Sequence, residues 1–183
     1  MFGIVVLATA AAQALPTPAV AAEIMRLWCT QTGRWRGSIE VVAADATRRT
    51  ATLTSDHNCS ADGRMHLVNE AFDFPGTPVD ATAKLTYSPK SAPTEFTTAY
   101  FAKSTEAHHR YQAVEARATD DRHWTTTIES AEAGDVFEGR PATTRYTRAM
   151  NGDVLESRKE VKRSDETGFV TRSQIVQKRE PAR

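Results

Sequence analysis

The sequence predicts an all-β protein, an antiparallel up-and-down β-barrel of about 8–10 strands with a short N-terminal helix. From Gly33 onward, alternating runs rich in Thr, Val, Tyr and Phe end in short clusters of Asp, Asn, Gly, Pro or Ser. No apolar period of 3.6 residues persists in this part of the chain. Most connections are short, which favours a meander over a two-sheet sandwich, and closure of the meander removes its exposed edges.

The strand signal is repeated ten times along the chain. A clear turn is Asn151-Gly152, because a tight hairpin turn needs residues that accept a positive φ. Before the first run, Ile24, Leu27 and Trp28 can form one face of the only helix expected after the leader, Ala22–Thr30. The ten runs are Trp35–Ala43, Arg48–Asp56, Arg64–Asp73, Thr82–Ser88, Glu95–Lys103, His108–Arg117, Arg122–Ser130, Ala142–Met150, Asp153–Arg163 and Gly168–Lys178.

The first 22 residues contain no Asp, Glu, Lys or Arg. An apolar run is followed by Ala19-Val20-Ala21 and Val20-Ala21-Ala22, which both fit the small-x-small rule for cleavage of an export signal. A buried helix and a retained anchor are the alternatives. We expect a periplasmic or secreted protein with four segments: a cleaved signal at 1–22, a short helix at 23–32, the barrel at 33–179 and a frayed tail at 180–183.

Cys29 and Cys59 are the only cysteines. In an oxidising compartment they most simply form one disulfide, and two buried free thiols are the alternative. A closed loop of this length stabilises the fold by about 3–4 kcal/mol in the chain-entropy model.

The zero net charge of the chain argues against a nucleic-acid-binding surface. The 183 residues carry 23 Lys and Arg against 23 Asp and Glu, whereas nucleic-acid binding needs a basic surface. No segment after the leader is apolar enough to span a membrane as a helix. The expected partner is therefore a small molecule, or an envelope protein that contacts the longest loop, residues 131–141.

The segment Gly33-Arg34-Trp35 resembles the Gly-x-Trp opening of lipocalins and related calycin barrels. The resemblance implies that Trp35 closes the barrel bottom beneath an arginine of the last strand, for which Arg172 is the candidate. Trp35-Arg36-Gly37 and the count of ten runs are closer to the nitrobindin-type calycins, which bind haem through a histidine near the C-terminus. This chain has no histidine after His123, so we predict no cofactor.

The predicted hairpins place charged residues among apolar ones on the face that should point inward. With Asp120-Asp121 as the turn, Arg117 opposes Trp124, and a four-residue loop before it sets Tyr111 opposite Tyr100. A dry core does not tolerate an isolated charge. The charges therefore lie at a wet barrel end or line a ligand cavity. This mixed face carries Phe96, Thr98, Tyr100, Tyr111, Ala113, Glu115, Arg117, Trp124 and Ile128.

The Asn151-Gly152 turn predicts a second mixed face. It sets Tyr146 opposite Ser157 and Arg148 opposite Leu155, with Lys159 on the same side. The last strand keeps two registers open, since a slip of one residue exchanges Phe169 and Ile175 for Val170 and Val176 inside. The residues predicted to line a ligand cavity are Tyr100, Tyr111, Glu115, Arg117, Trp124, Tyr146 and Arg148.

No metal site or catalytic residue is predicted. His108 and His109 begin one strand and His123 the next, so antiparallel pairing separates them. His57 is placed with Asp56 and Asp62 in a turn-rich loop, where such residues are ordinary turn formers. No nucleophile motif is present.

These observations favour an exported calycin-like barrel that binds a small amphipathic or lipophilic ligand. Two alternatives stay open. The first is a filled barrel that acts as an envelope interaction or structural module. The second is a barrel enzyme of isomerase or hydratase type, with Glu115 as the acid–base group.

Overall fold

A computed structural model of the chain describes residues 18–43, 45–103, 105–131, 136–137 and 139–181. They form one helix and eleven strands. The elements in chain order are α1 (Pro18–Cys29), β1 (Gly33–Val42), β2 (Arg48–Cys59), β3 (Met65–Asp73), β4 (Asp80–Tyr87), β5 (Glu95–Ala102), β6 (Thr105–Asp120), β7 (His123–Ser130), β8 (Val136–Phe137), β9 (Arg140–Asn151), β10 (Val154–Arg163) and β11 (Val170–Arg179).

Ten of the strands form a closed antiparallel barrel. Neighbours follow the chain from β1 to β7, β7 pairs with β9, and β9, β10, β11 and β1 complete the ring. The two-residue β8 pairs with the start of β9. Each predicted run overlaps one barrel strand, so the predicted all-β barrel is confirmed.

The helix α1 closes one end of the barrel. It begins at Pro18, which suits a first helical turn because proline lacks the N–H that has no partner there. The predicted apolar face is buried, with Ile24 and Leu27 fully enclosed and Trp28 only 3% exposed. Residues 1–17 of the predicted leader lie outside the described residues, and cleavage of the leader stays a prediction.

A disulfide joins the end of α1 to the end of β2. The Cys29 and Cys59 sulfur atoms are 2.01 Å apart, which confirms the predicted pairing. The bridge fixes the helix beneath the barrel wall that carries β2 and β3.

Trp35 lies at this closed end and is 1% exposed. Its indole N–H donates to the Gln31 carbonyl oxygen at 2.7 Å, and the Arg179 guanidinium lies 4.5 Å from its ring centre. The prediction that Arg172 covers Trp35 is wrong. Antiparallel pairing sets Arg179 opposite Trp35, whereas Arg172 lies about 23 Å further along β11 and donates to the Ala43 carbonyl.

Gly37 has a packing role in the same strand pair. A Cβ atom at Gly37 would lie 1.9 Å from the Val176 carbonyl oxygen, so only glycine allows β1 and β11 to approach this closely. The Trp35-Arg36-Gly37 sequence thus supplies a buried aromatic ring and, two residues later, the glycine that lets β1 and β11 pack closely.

The hairpin β6–β7 departs from the predicted register. A β-bulge at Val114 separates the pair Ala113–Ile128 from the pair Glu115–Thr127, and a second irregularity lies at Thr119. An extra residue reverses the alternation of faces. Glu115 and Arg117 therefore point outward, where they form an ion pair with side chains 38% and 77% exposed. Their predicted inward placement is wrong, and Ala118 rather than Arg117 opposes Trp124.

Two other predicted registers are wrong by even numbers of residues. Tyr111 pairs with Phe96 instead of Tyr100, and Arg148 pairs with Ser157 instead of Leu155. An even shift leaves each side chain on its predicted face. In β11, Ile175 packs against the interior cluster around Ile39, while Val176 is 38% exposed.

Candidate functional site

The barrel interior contains a cavity of about 340 Å³, in the size range of small-molecule sites. One wall is apolar and comes from β1, β3 and β11, with Ile39, Phe72 and Ile175. The opposite wall is aromatic and charged. Its side chains are Lys84, Thr86, Thr98, Tyr100, His109, Tyr111, Tyr146, Arg148 and Lys159.

The part of the barrel nearest α1 is filled by side chains. Trp28, Phe96 and Met150 belong to one buried cluster there, and Trp28 forms the boundary with the cavity. Trp124 belongs to the same cluster, and its indole N–H donates to the Thr30 hydroxyl at 3.2 Å. It lies in this core and does not line the cavity.

Arg148 is the cavity cation with an unused hydrogen-bond donor. Its guanidinium carbon lies 4.4 Å from the centre of the Trp28 ring. Its Nη1 atom is enclosed and has no hydrogen-bond partner among the described residues. Burial lowers the pKa of the Arg148 guanidinium, while the Glu70 carboxylate opposes that effect. An arginine nevertheless keeps its charge in proteins, so this group presents a donor and a positive charge.

Glu70 and Lys84 form an ion pair inside the cavity. The Lys84 ammonium lies 2.6 Å from the Glu70 carboxylate, to which the Thr82 hydroxyl also donates at 3.4 Å. Burial lowers the pKa of Lys84, but the Glu70 charge and hydrogen bond outweigh it and raise the pKa above its ordinary value. Glu70 is thus occupied by Lys84.

Lys159 adds a further positive charge on the wall formed by β9 and β10. Its ammonium lies 5.8 Å from the Tyr146 ring centre and 5.5 Å from that of Phe137. Tyr146 in turn meets Tyr111 edge to face, with ring centres 5.5 Å apart. Three cations therefore face one carboxylate among the lining residues.

Two histidines form a buried chain at the cavity floor. The Gln177 amide donates to the Ser55 hydroxyl at 2.8 Å, and that hydroxyl lies 3.0 Å from Nε2 of His57. Nδ1 of His57 lies 3.3 Å from Nε2 of His66. The prediction that His57 lies in a turn-rich loop is wrong, because β2 continues to Cys59 and its alternation turns His57 inward.

Burial is the main reason that both histidines stay neutral. It lowers the pKa of His57 to about 3, with further lowering by Arg148, Lys84 and Arg179. Burial also lowers the pKa of His66 well below its ordinary value, again with a contribution from Arg148. Of the four hydrogen-bonded residues, only His57 lines the cavity. Ser55, His66 and Gln177 are buried behind it.

The structure brings together four of the seven predicted lining residues, namely Tyr100, Tyr111, Tyr146 and Arg148. Trp124, Glu115 and Arg117 lie elsewhere. Sequence reasoning missed Trp28, His57, Glu70, Lys84, His109 and Lys159 as lining residues. The sequence of β3 could have indicated Glu70, because Val68, Glu70 and Phe72 are spaced two residues apart and so share the inward face.

Two further features concern only the part of the chain that the structure describes. Within it, no group of three or more His, Cys, Asp or Glu side chains is placed to hold a metal ion. The helix α1, the one helix of these residues, is not long and apolar enough to cross a membrane. Of the predicted contact loop 131–141, residues 132–135 and 138 lie outside the described residues.

No protein-family model matches the sequence, and no similar sequence is found among curated proteins. A similar solved structure is the crystal structure of Rv2717c from M. tuberculosis. It matches with a TM-score of 0.62 over 86% of this chain and 97% of that chain, at 8% sequence identity. At this identity the similarity shows a shared barrel fold.

Proposed function

We propose that the protein is an exported, lipocalin-like carrier that binds a small amphipathic acid inside its barrel. The observation that carries the proposal is the Nη1 atom of Arg148, a buried donor on a charged group that lacks an acceptor. Buried polar groups are normally hydrogen-bonded, and an acid group is the acceptor that matches a guanidinium best. Export is supported by the leader pattern and by the disulfide.

The remaining walls suit the body of such a ligand. Tyr100, Tyr111 and Tyr146 offer aromatic surface near Arg148, and Ile39 and Ile175 offer an aliphatic surface opposite. A mainly apolar lining with a few convergent polar groups is typical of small-molecule sites. The cavity favours this function over a filled interaction module.

The test uses 8-anilinonaphthalene-1-sulfonate as the acid and N-phenyl-1-naphthylamine as its neutral counterpart. We expect the sulfonate to bind the folded protein with one-to-one stoichiometry in fluorescence and calorimetric titrations. Arg148→Met should weaken sulfonate binding by about 30-fold or more, because a buried charged contact is lost. Binding of the neutral amine should change little.

Arg117→Leu is the matched control, since it removes an arginine from the outer face of the same barrel. It should leave both affinities unchanged. Equal loss in the two variants, or no saturable binding of either probe to the wild-type protein, would contradict the proposal.

A further inference from the structure

The histidine chain and Arg148 share one surface of the cavity floor. The Trp28 ring lies 4.4 Å from the Arg148 guanidinium carbon and 5.9 Å from the His66 ring centre. Arg148 also acts electrostatically on both His57 and His66. An acid group that pairs with Arg148 therefore places its negative charge beside the two histidines.

The hydrogen bonds that link Gln177, Ser55, His57 and His66 fix which ring nitrogens carry a hydrogen. The Ser55 hydroxyl accepts from Gln177, so its own hydrogen is available for Nε2 of His57. A neutral His57 then carries its hydrogen on Nδ1 and donates it to Nε2 of His66. Each ring nitrogen in this chain of bonds has one defined role.

The same geometry has room for one additional proton. A proton on Nε2 of His57 can be donated to the Ser55 oxygen, which has two lone pairs and can turn its own hydrogen away. His57 continues to donate through Nδ1 to His66. A second proton, on Nε2 of His66, would set two donors against each other.

We propose that the cavity takes up its acid ligand together with one proton, which His57 accepts while His66 and Ser55 hold the imidazolium. This inference rests on the proposed function and specifies how the same site is regulated. The ligand class is an acid that is bound as an anion, and its affinity increases as the pH falls.

Without a bound anion, burial is the largest factor that keeps the pKa of His57 low, and nearby cations lower it further. The charged groups that act on His57 are Arg148 from β9, Lys84 from β4 and Arg179 from β11, and Arg148 also acts on His66. Glu70 from β3 is engaged by Lys84 at 2.6 Å. A bound anion offsets Arg148 and attracts the imidazolium, so ligand and proton each favour binding of the other.

The experiment measures sulfonate affinity and proton uptake between about pH 7 and about pH 5. The probe is again 8-anilinonaphthalene-1-sulfonate, which stays ionised over this range and cannot itself supply the effect. Calorimetry in buffers with different ionisation enthalpies counts the protons taken up. We expect a roughly tenfold tighter binding at the lower pH and an uptake that approaches one proton per ligand.

His57→Gln should bind the sulfonate with an affinity that no longer depends on pH. His108→Gln is the matched control, because His108 lies on the outer face of β6 with a side chain 58% exposed, and it should keep the wild-type pH dependence. Circular dichroism at each pH confirms that the folded protein is being titrated. If His57→Gln does not fold, the proton count in the wild-type protein decides.

Binding without proton uptake and with equal affinity at both pH values would overturn the inference while leaving the carrier function intact. Persistence of the full pH dependence in a folded His57→Gln variant would also overturn it. An absence of sulfonate binding at every pH would reject the proposed function and this inference together.

Discussion

The hairpins β6–β7 and β9–β10 both place charged residues between aromatic and aliphatic ones, but they turn those charges to opposite sides of the barrel wall. In β9–β10 the turn residues are Gly152 and Asp153, one position after the predicted Asn151-Gly152, and the pairing runs from them without interruption. Arg148 and Lys159 face the cavity. In β6–β7 the bulge at Val114 intervenes, and Glu115 and Arg117 pair on the outer surface.

The difference shows that alternation assigns a face only as far as the next bulge. Beyond Val114 the inward positions are Ala116 and Ala118, opposite Thr126 and Trp124. Ala116 packs against the buried cluster that includes α1, whereas Ala118 is exposed near the end of the strand. The bulge therefore places Ala116 instead of a charged side chain beneath the helix, which leaves room for α1 and avoids an unpaired buried charge.

Ala116→Glu is the strongest way to break this comparison. Ala116 lies opposite Thr126 on the inward side of β6 and packs against the buried cluster that includes α1, so the substitution places a carboxylate where the bulge keeps one out. We expect a loss of more than about 4 kcal/mol in the free energy of unfolding, or failure to fold, since overpacking and burial of an unpaired charge add together. Urea denaturation followed by circular dichroism measures it.

Glu115→Ala is the matched control, because it changes the outward neighbour in the same strand and removes only the ion pair on the outer surface. It should cost about 1 kcal/mol or less. An Ala116→Glu variant as stable as this control would show that the inward side of β6 tolerates a charge, and the bulge would then not be needed to keep Glu115 out of the core.

The contrast also explains which sequence predictions held. The barrel and the inward positions of Tyr111, Tyr146 and Arg148 followed from strand patterning, because the errors in hairpin register were even and kept each face. Glu115 failed because no residue type marks a bulge reliably. Arg172 failed because only the register of β1 with β11, set between strands distant in sequence, shows that Arg179 opposes Trp35.

The inward and outward histidines offer a second way to sharpen the comparison. Burial lowers the pKa of His57 to about 3, whereas an unfolded histidine titrates near 6.5. Between those values the unfolded chain binds more protons than the folded one. The free energy of unfolding is therefore highest above about pH 6.5 and decreases as the pH falls. We expect a loss of several kcal/mol across this range, measured by urea denaturation without ligand.

His57→Gln should reduce that pH dependence, and His108→Gln on the outer face should preserve it. The carboxylates contribute a loss of the same sign at lower pH, so the difference between the two variants is the quantity to compare. Equal slopes for the two variants would mean that the buried pair is not what links stability to pH.

The smallest expected effect is the difference in the free energy of unfolding between variants of Arg148 and Arg117. Arg148→Met replaces a partly unsatisfied interior cation by an apolar side chain of similar length and should raise the free energy of unfolding by about 1 kcal/mol, because the desolvated charge outweighs its contact with Trp28. Arg117→Leu removes an exposed ion pair and should change it by less than about 0.5 kcal/mol. Thermal and urea melts of both variants, without ligand, resolve the difference.

A stabilised Arg148→Met that has lost sulfonate binding would identify Arg148 as a charge kept for a ligand at the expense of stability. A strongly destabilised one would instead make the Arg148–Trp28 contact a structural element of the floor, and the cavity charge would then have a role in folding.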